Sequence, residues 1–272
     1  MFIGEEANKQ LLVEKLIQKF IRENIARNID VHLEVYWSSS EPTATNDSNQ
    51  GSYIRSYPLY IDCLELYNQG FQKDGIYTIS LETGPRLVRC DQNNGGWTVI
   101  QRREYGEESF YRSGQLYVDG FGEVYGDYWI GLENIRYLTE TSSSLVIEME
   151  TFGDTSPNEA FARYSNFQLD SGSNQYRLAV SGFEGDCDDG LEYHNGAKFS
   201  TYDFDNDIAS DRDCADEGQG GWWYVMCYDS NLNGPYSHSS YVNVVNDAGI
   251  TWASCWGYGY SLKRVEMKVK RN

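Results

Sequence analysis

Three aspartates on alternate residues, Asp203, Asp205 and Asp207, form the clearest group of side chains with metal-binding chemistry in the sequence. In an extended segment their side chains would share one side, and in a tight loop they could converge. Calcium takes about six to eight oxygen ligands, partly from carboxylates and partly from backbone carbonyls. The segment is not an EF-hand, because its sixth position would be Ile208 instead of glycine and its twelfth Cys214 instead of glutamate. From these residues alone, a calcium site and a solvated acidic loop are both open.

The cysteine pattern indicates disulfides. The count is even and there is no CxxC pair, whereas zinc sites usually show closely paired ligands. Disulfides imply an oxidising compartment, so we predict a secreted, extracellular protein. The six residues are Cys63, Cys90, Cys187, Cys214, Cys227 and Cys255.

No catalytic motif accompanies these groups. The protein has three histidines, His32, His194 and His238, and it contains no GxSxG, HExxH or phosphate-loop sequence. We therefore expect no enzymatic activity, and the acidic cluster is better explained by calcium than by acid–base catalysis.

The balance of charge excludes two classes of partner. Lysine and arginine number 22 against 41 aspartates and glutamates, which gives a net charge of −19. Nucleic acids and anionic membranes attract basic surfaces, so neither is an expected partner. No segment has the length and apolarity needed to insert into a membrane. The first 25 residues are too charged for a signal peptide, so either a signal has been removed or an upstream segment is missing.

The first 56 residues differ in composition from the rest. Residues 1–37 are predicted to form a helical extension with a short strand, since apolar residues recur three and four apart over residues 8–29. This helix either docks on its own domain or forms a short coil that assembles a homo-oligomer. Residues 38–56 are polar and are predicted to be a flexible linker, in which Asn46 begins the Asn-Asp-Ser glycosylation sequon.

From residue 57 onward, short apolar runs alternate with Gly, Asn and Asp. Period-two alternation in several runs predicts half-buried strands of a mainly antiparallel sheet. The runs are GIYTISL, WTVIQRR, SLVIEMETF, YRLAVSGF and SLKRVEMKVK.

Long ordered motifs in the same region resemble the fibrinogen C-terminal-like domain of fibrinogen-related proteins, of the ficolin and tachylectin type. The resemblance covers residues 57–272 and implies an α+β fold with a twisted antiparallel sheet, short helices and long loops. It is carried by CDQNNGGWTVIQRR, FGEVYGDYWIGLENIRYLT, EYHNGAKFSTYDFDND, GGWWYVMCYDSNLNGPY and GITWASCWGYGYSLKRVEMKV.

The resemblance also implies two disulfides, Cys63–Cys90 and Cys214–Cys227. Cys187 and Cys255 lie outside the common pattern. We expect these two cysteines to pair with each other, and intermolecular bonds are the alternative.

For the acidic loop, the resemblance implies a structural calcium ion. Asp205 and Asp207 match the family's calcium-binding pair, and two following backbone carbonyls would complete the site. The loop is one residue longer than usual, so Ala209 and Asp211 are provisional carbonyl donors. The ion would hold a neighbouring recognition loop.

In ficolin-like relatives an acetyl-group pocket lies beside this loop, around a cis peptide bond that would here join Met226 to Cys227. We predict that Tyr228, Tyr236, Trp256 and Tyr258 line it. Other nearby aromatic residues are predicted to belong to the core: Trp222, Trp223, Tyr224 and Trp252.

The pocket departs from the family pattern at Gly218, Tyr228 and Tyr258, where rings, histidine or arginine stand in relatives. The leading prediction is a calcium-dependent, lectin-like pattern-recognition protein of innate immunity that binds acetylated or other glycans on microbial surfaces. The alternative is a protein-binding ligand of the angiopoietin or developmental type, whose receptor would meet the same face.

Overall fold

A computed structural model describes residues 60–241 and 248–272. The predictions for residues 1–37, for the linker 38–56 and for Asn46 lie outside these ranges. Within them, nine strands form one sheet in which every pairing is antiparallel. The strands are β1 Gly75–Leu81, β2 Gly84–Asp91, β3 Trp97–Arg103, β4 Phe121–Gly122, β5 Tyr128–Trp129, β6 Ser143–Glu150, β7 Glu159–Leu169, β8 Leu178–Gly185 and β11 Arg264–Arg271.

The main path of the sheet runs β1-β2-β3-β11-β6-β7-β8, and β4 and β5 extend from β3. The C-terminal strand β11 is therefore central, between β3 and β6. Strand β6 alternates buried and half-buried residues, as expected of a strand with one face on the core. All seven residues of β3 are buried, so both of its faces are covered.

Five short helices and a separate two-stranded sheet complete the described part. The small sheet pairs β9, Ser230–Asn231, with β10, Thr251–Trp252. The predicted α+β class, with an antiparallel sheet and short helices, is confirmed. The helices are α1 Cys63–Asn68, α2 Gly114–Asp119, α3 Leu132–Leu138, α4 Cys214–Gly218 and α5 Ala253–Trp256, with a 3₁₀ turn at Gly172–Asn174. In the described ranges, no helix has the length and apolarity needed to cross a membrane.

Aromatic residues dominate the core, which follows from the abundance of Tyr and Trp in the sequence. The four residues predicted to be core are almost fully buried: Trp222, Trp223, Tyr224 and Trp252. Rings of Trp223 and Phe199 meet edge to face at 5.1 Å, and Phe199 in turn contacts Tyr117 at 5.1 Å.

The GGWTVIQRR motif anchors the loops to the sheet. Gln101 on β3 donates from Nε2 to the carbonyl of Leu232 at 2.8 Å, and buried Arg103 donates to the carbonyl of Gly234 at 2.7 Å. Asn233 then donates to the carbonyl of Gly221 at 2.8 Å. The GGWTVIQRR motif is thus hydrogen-bonded to the GGWWYVMCYDSNLNGPY motif. These bonds fix the loop that contains Leu232 and Gly234 relative to β3.

All six cysteines form disulfides inside the protein, which fits the oxidising compartment expected from the sequence. Cys187 pairs with Cys255, so the two cysteines outside the common pattern join each other in this structure. The three bonds are Cys63–Cys90, Cys187–Cys255 and Cys214–Cys227.

Candidate functional site

The acidic loop is organised by its own carboxylates. Asp207 accepts two backbone N–H donors, from Ala209 at 2.8 Å on Oδ1 and from Cys214 at 3.0 Å on Oδ2. Asp205 Oδ1 accepts the N–H of Asp207 at 3.1 Å. Asp213 caps helix α4, because its Oδ1 accepts from the first-turn N–H groups at 2.9 Å. The loop therefore packs several anionic groups against the start of one short helix.

Burial and neighbouring anions raise the pKa of Asp207. Burial is the largest cause, and the negative charges of Asp205 and Asp213 add to it, while the two N–H donors act in the opposite direction. A bound cation would stabilise such a carboxylate in its charged form. Ala209 is buried and Asp211 is exposed in the same loop.

The acidic loop is bonded to the segment with the unusual peptide bond. Ile208 donates its N–H to the carbonyl of Val225 at 3.0 Å, and Val225 donates to the carbonyl of Cys227 at 2.9 Å. The bond between Met226 and Cys227 is cis, at the position that the family resemblance implied. A change in the acidic loop can therefore reach this turn through two hydrogen bonds.

His194 holds both sides of this turn. Its Nδ1 lies 2.7 Å from the carbonyl of Trp223, and its Nε2 accepts the N–H groups of Asp229 at 3.2 Å and Ser230 at 3.1 Å. Nδ1 therefore carries the proton of a neutral imidazole. Burial lowers the pKa of His194 to about 4. The role of the YHNG motif in the described structure is to position the backbone.

A group of phenols lies beside the cis peptide, and we define the tyrosine cluster as exposed Tyr193 and Tyr258 with half-buried Tyr228. The rings of Tyr228 and Tyr258 are 6.4 Å apart, and Tyr193 Oη accepts the N–H of Met226 at 3.2 Å. Tyr258 donates its hydroxyl to Asp229 at 2.8 Å, and this hydrogen bond raises the pKa of Tyr258 to about 12. The cluster presents neutral rings and an acidic residue.

The other two predicted pocket residues make their contacts elsewhere. The Tyr236 hydroxyl lies 2.8 Å from the carbonyl of Glu104 and 2.9 Å from that of Lys263, and its single proton bonds one or is shared by both, which fixes the ring against the ends of β3 and β11. Trp256 donates from Nε1 to the carbonyl of Pro157 at 3.1 Å and stacks on Tyr260 at 6.2 Å. The structure thus joins Tyr228 and Tyr258 with exposed Met226, while Tyr236 and Trp256 support neighbouring loops.

Two residues of the site were not singled out from the sequence. Tyr193 precedes His194 in the EYHNG motif, and Asp229 follows the second cysteine of the short loop by two residues. Their proximity to these motif residues was a usable signal. That they meet Met226 and Tyr258 is visible only in three dimensions.

Comparison with known proteins places this site in a family. The family described as "Fibrinogen beta and gamma chains, C-terminal globular domain" matches residues 59–272. The human protein "Angiopoietin-related protein 7" is 44% identical over 216 residues, which cover 77% of this chain and 61% of that protein. The Bos taurus protein "Microfibril-associated glycoprotein 4" is 42% identical over 228 residues, covering 78% of this chain and 86% of that protein. The chain thus spans about three fifths of the length of the first relative.

A solved structure gives the same result for the fold. The fibrinogen-like globe domain of human ANGPTL2 superposes with a TM-score of 0.74 at 38% sequence identity. The match covers 78% of this chain and 99% of that domain.

These similarities overturn the prediction of a calcium-dependent, lectin-like recognition protein. The similar proteins are angiopoietin-related proteins and a microfibril-associated glycoprotein, and this favours the alternative, a protein-binding ligand. The residues at Gly218, Tyr228 and Tyr258 already depart from the acetyl-group pocket of ficolins. Gly218 has no room for a ring, since an added Cβ would lie 2.4 Å from the Tyr224 hydroxyl.

Proposed function

Because this protein belongs to the family defined by the C-terminal globular domain of the fibrinogen beta and gamma chains, we propose that it is an extracellular, non-enzymatic ligand that binds another protein. The binding surface would be the loop face, which we define as the tyrosine cluster together with Met226 and Asp229. The observation that carries the proposal is the 44% identity to an angiopoietin-related protein across the whole domain. The three intrachain disulfides support an extracellular location.

The chemistry of the loop face supports a protein partner. Met226 is exposed beside Tyr193 and Tyr258, and such adaptable apolar and aromatic groups are enriched in protein interfaces. The hydroxyl of Tyr258 is already bonded to Asp229, so this face offers ring surface more than free polar groups. In specific protein interfaces, aromatic residues that become buried against the partner carry much of the binding energy.

A binding screen tests this proposal. The purified protein is passed over immobilised receptor ectodomains and matrix proteins, with acetylated agarose and a glycan array as parallel surfaces. We expect saturable binding to at least one protein and no retention on the sugars. Retention on acetylated agarose that free acetyl compounds reverse, without any protein binding, would contradict the proposal.

We further propose that Asp205 and Asp207 hold a structural calcium ion. The raised pKa of Asp207 and the hard carboxylate oxygens of both residues fit a cation. In the described ranges, no group of three or more His, Cys, Asp or Glu side chains is placed to hold a metal, so in this proposal the two aspartates are joined by backbone carbonyls and water. Ala209 and Asp211 are the proposed carbonyl donors. The ion would neutralise the loop that is bonded to the cis-peptide turn.

Thermal unfolding in calcium or in chelator tests the ion. The melting temperature of the wild type should rise in millimolar calcium, because a ligand that binds the folded state stabilises it. Asp205→Ala should abolish this rise. Asp211→Asn is the matched control, since it removes a nearby charge but keeps the backbone carbonyl, and its calcium response should persist. An identical wild-type melting temperature in calcium and in chelator would refute the site.

A further inference from the structure

Three large exposed aromatic side chains lie in two segments that are bonded to each other. Tyr111, in the segment between β3 and α2, is 43% exposed, Tyr202 is 41% exposed and Phe204 is 62% exposed. The rings of Tyr111 and Tyr202 lie 4.7 Å apart, tilted by 38°. Exposed apolar groups gathered in this way, rather than scattered singly, mark interaction sites.

The backbone holds these rings in place. Thr201 and Phe204 exchange two backbone hydrogen bonds, at 2.9 and 3.1 Å. Asp203 Oδ1 accepts the N–H of Gly114 at 2.8 Å, which ties the turn to the segment that carries Tyr111. A surface organised before binding loses less conformational entropy when a partner arrives.

A carboxylate borders the rings. Asp216 on α4 accepts the hydroxyl of Tyr111 at 2.5 Å, and this hydrogen bond raises the pKa of Tyr111 to about 12. The arginines nearest in sequence are already engaged, Arg112 by Glu108 at 2.6 Å and Arg212 by Glu217 at 3.4 Å. We call the group formed by Tyr111, Tyr202, Phe204 and Asp216 the Tyr111 patch. It combines exposed rings with a negative charge that no arginine neutralises in the described structure.

We propose that the Tyr111 patch docks an arginine-bearing segment of a protein partner. The guanidinium would stack on Tyr111 and Tyr202 and pair with the carboxylate of Asp216, while Phe204 would contact the aliphatic stem. Arginine fits better than lysine, because its planar group both stacks on rings and bonds carboxylates in bidentate fashion. The inference rests on the proposed protein-binding function and assigns it a surface made of residues different from the tyrosine cluster.

A peptide titration tests the chemistry without a known partner. The ¹⁵N-labelled protein is titrated with a synthetic peptide of alternating glycine and arginine, and with matched peptides carrying lysine or glutamate. We expect saturable amide shifts at Tyr111, Tyr202 and Phe204 with the arginine peptide, at least about fivefold weaker affinity for lysine, and no shifts with glutamate. If the arginine and lysine peptides cause equal amide shifts that do not saturate, binding is charge attraction alone, and the proposal is overturned.

Substitutions test separately the contributions of the Tyr111 ring, the Tyr111 hydroxyl and the Asp216 charge to peptide binding. Tyr111→Ala and Asp216→Asn should each weaken the arginine peptide about fivefold to tenfold, because one removes a stacking ring and the other the paired carboxylate. Tyr111→Phe keeps the ring and removes the hydroxyl that donates to Asp216. Both the ring and the carboxylate remain available, so binding of the arginine peptide should persist. Leu87→Ser is the control for an exposed apolar side chain on β2, and Glu184→Gln is the control for charge on β8; neither should change the affinity.

The same variants distinguish this proposal from the protein-binding function itself. If a protein found in the ectodomain screen binds Tyr111→Ala and Asp216→Asn as tightly as the wild type, the Tyr111 patch is rejected and the protein-binding function stands. If the wild type binds no protein but the arginine peptide still binds saturably at the patch, the protein-binding function is rejected while the chemistry of the patch is supported.

Discussion

The buried imidazole of His194 shows how a single polar residue can organise a loop through its hydrogen bonds alone. It is closed off from solvent, donates to one side of the cis-peptide turn and accepts from the other. A charged imidazolium would lose the two N–H donors to Nε2, since it has no lone pair there. The loop therefore needs the neutral ring.

We predict that this residue makes stability depend on pH between 6.5 and about 4. The folded state binds its proton at about pH 4 and an unperturbed histidine at 6.5, so the unfolded state takes up the proton first and stability falls as pH falls through this window. Above pH 6.5 His194 is neutral in both states, so this destabilisation is absent and stability no longer depends on its protonation. The full loss is roughly 3 kcal/mol, measured by urea unfolding at a series of pH values.

The control for this prediction is His194→Gln. Only the pH slope of each protein's own unfolding free energy is compared, because the variant also changes the stability at neutral pH. The variant should have a shallower slope between pH 6.5 and 4. Parallel curves for the two proteins would show that carboxylates alone produce the acid sensitivity.

At the scale of single residues, the sequence predicted which aromatic residues are buried in the core better than it predicted which groups each residue contacts. Trp222 and Trp252 were correctly assigned to the core, because burying the large apolar surface of an indole ring is strongly favourable. Tyr228 and Tyr236 looked equivalent as pocket candidates, but Tyr236 is bonded to the carbonyls of Glu104 and Lys263. Spacing from a cysteine gives no information on which distant carbonyl a hydroxyl will meet.

At the scale of elements, one aspartate joins the first described helix to the last strand. Asp62 Oδ1 accepts the N–H of Glu65 at 2.8 Å and so caps α1. The same carboxylate pairs with Arg271 at the end of β11, where the second nitrogen lies 3.1 Å from Oδ1. Elements 209 residues apart in sequence are thereby fixed to each other.

Two substitutions separate these roles of Asp62. Asn is as good a helix cap as Asp but carries no charge, so Asp62→Asn should cost about 1 kcal/mol or less through the partly exposed ion pair. Asp62→Ala should cost about 1 kcal/mol more, because it also removes the cap. Chemical denaturation measures both values. Equal losses in the two variants would mean that the cap contributes nothing.

The strands were predictable where apolar residues point inward and polar residues outward. Strands β1 and β3 coincide with the runs GIYTISL and WTVIQRR. Strand β7 was not singled out, because its inward positions include the small residues Ala160 and Ala162 while the large Phe161 is exposed. Side-chain size there opposes the burial pattern, and tertiary packing overrides the apparent preference.

At the scale of the whole molecule, the negative charge is unevenly compensated. On the sheet, Lys268 is buried and contacts both Asp91 at 2.6 Å and Glu148 at 2.5 Å. Within residues 60–241 and 248–272 no lysine pairs with the carboxylates of the acidic loop, where burial, with a smaller effect of Asp205 and Asp213, raises the pKa of Asp207. Lys268 thus neutralises two carboxylates of the sheet from within the protein, whereas the charge of the acidic loop is what the proposed calcium ion would neutralise.

The disulfide between Cys187 and Cys255 gives the last prediction, because it closes the longest loop of the three. Its cysteines are 68 residues apart, against 27 for Cys63–Cys90 and 13 for Cys214–Cys227. In the chain-entropy treatment, closing a loop of that length lowers the entropy of the unfolded state by an amount worth about 4 kcal/mol. The double variant Cys187→Ser, Cys255→Ser should lose roughly that free energy of unfolding.

Urea denaturation of the wild type and the double variant measures this loss, and non-reducing electrophoresis accompanies it. On the non-reducing gel the wild type should run at the mass of a single polypeptide, since Cys187 and Cys255 are bonded within one polypeptide. An unchanged free energy of unfolding would contradict the stabilising role. Covalent dimers that disappear in the double variant would instead show that these cysteines join two polypeptides, the alternative left open by the sequence.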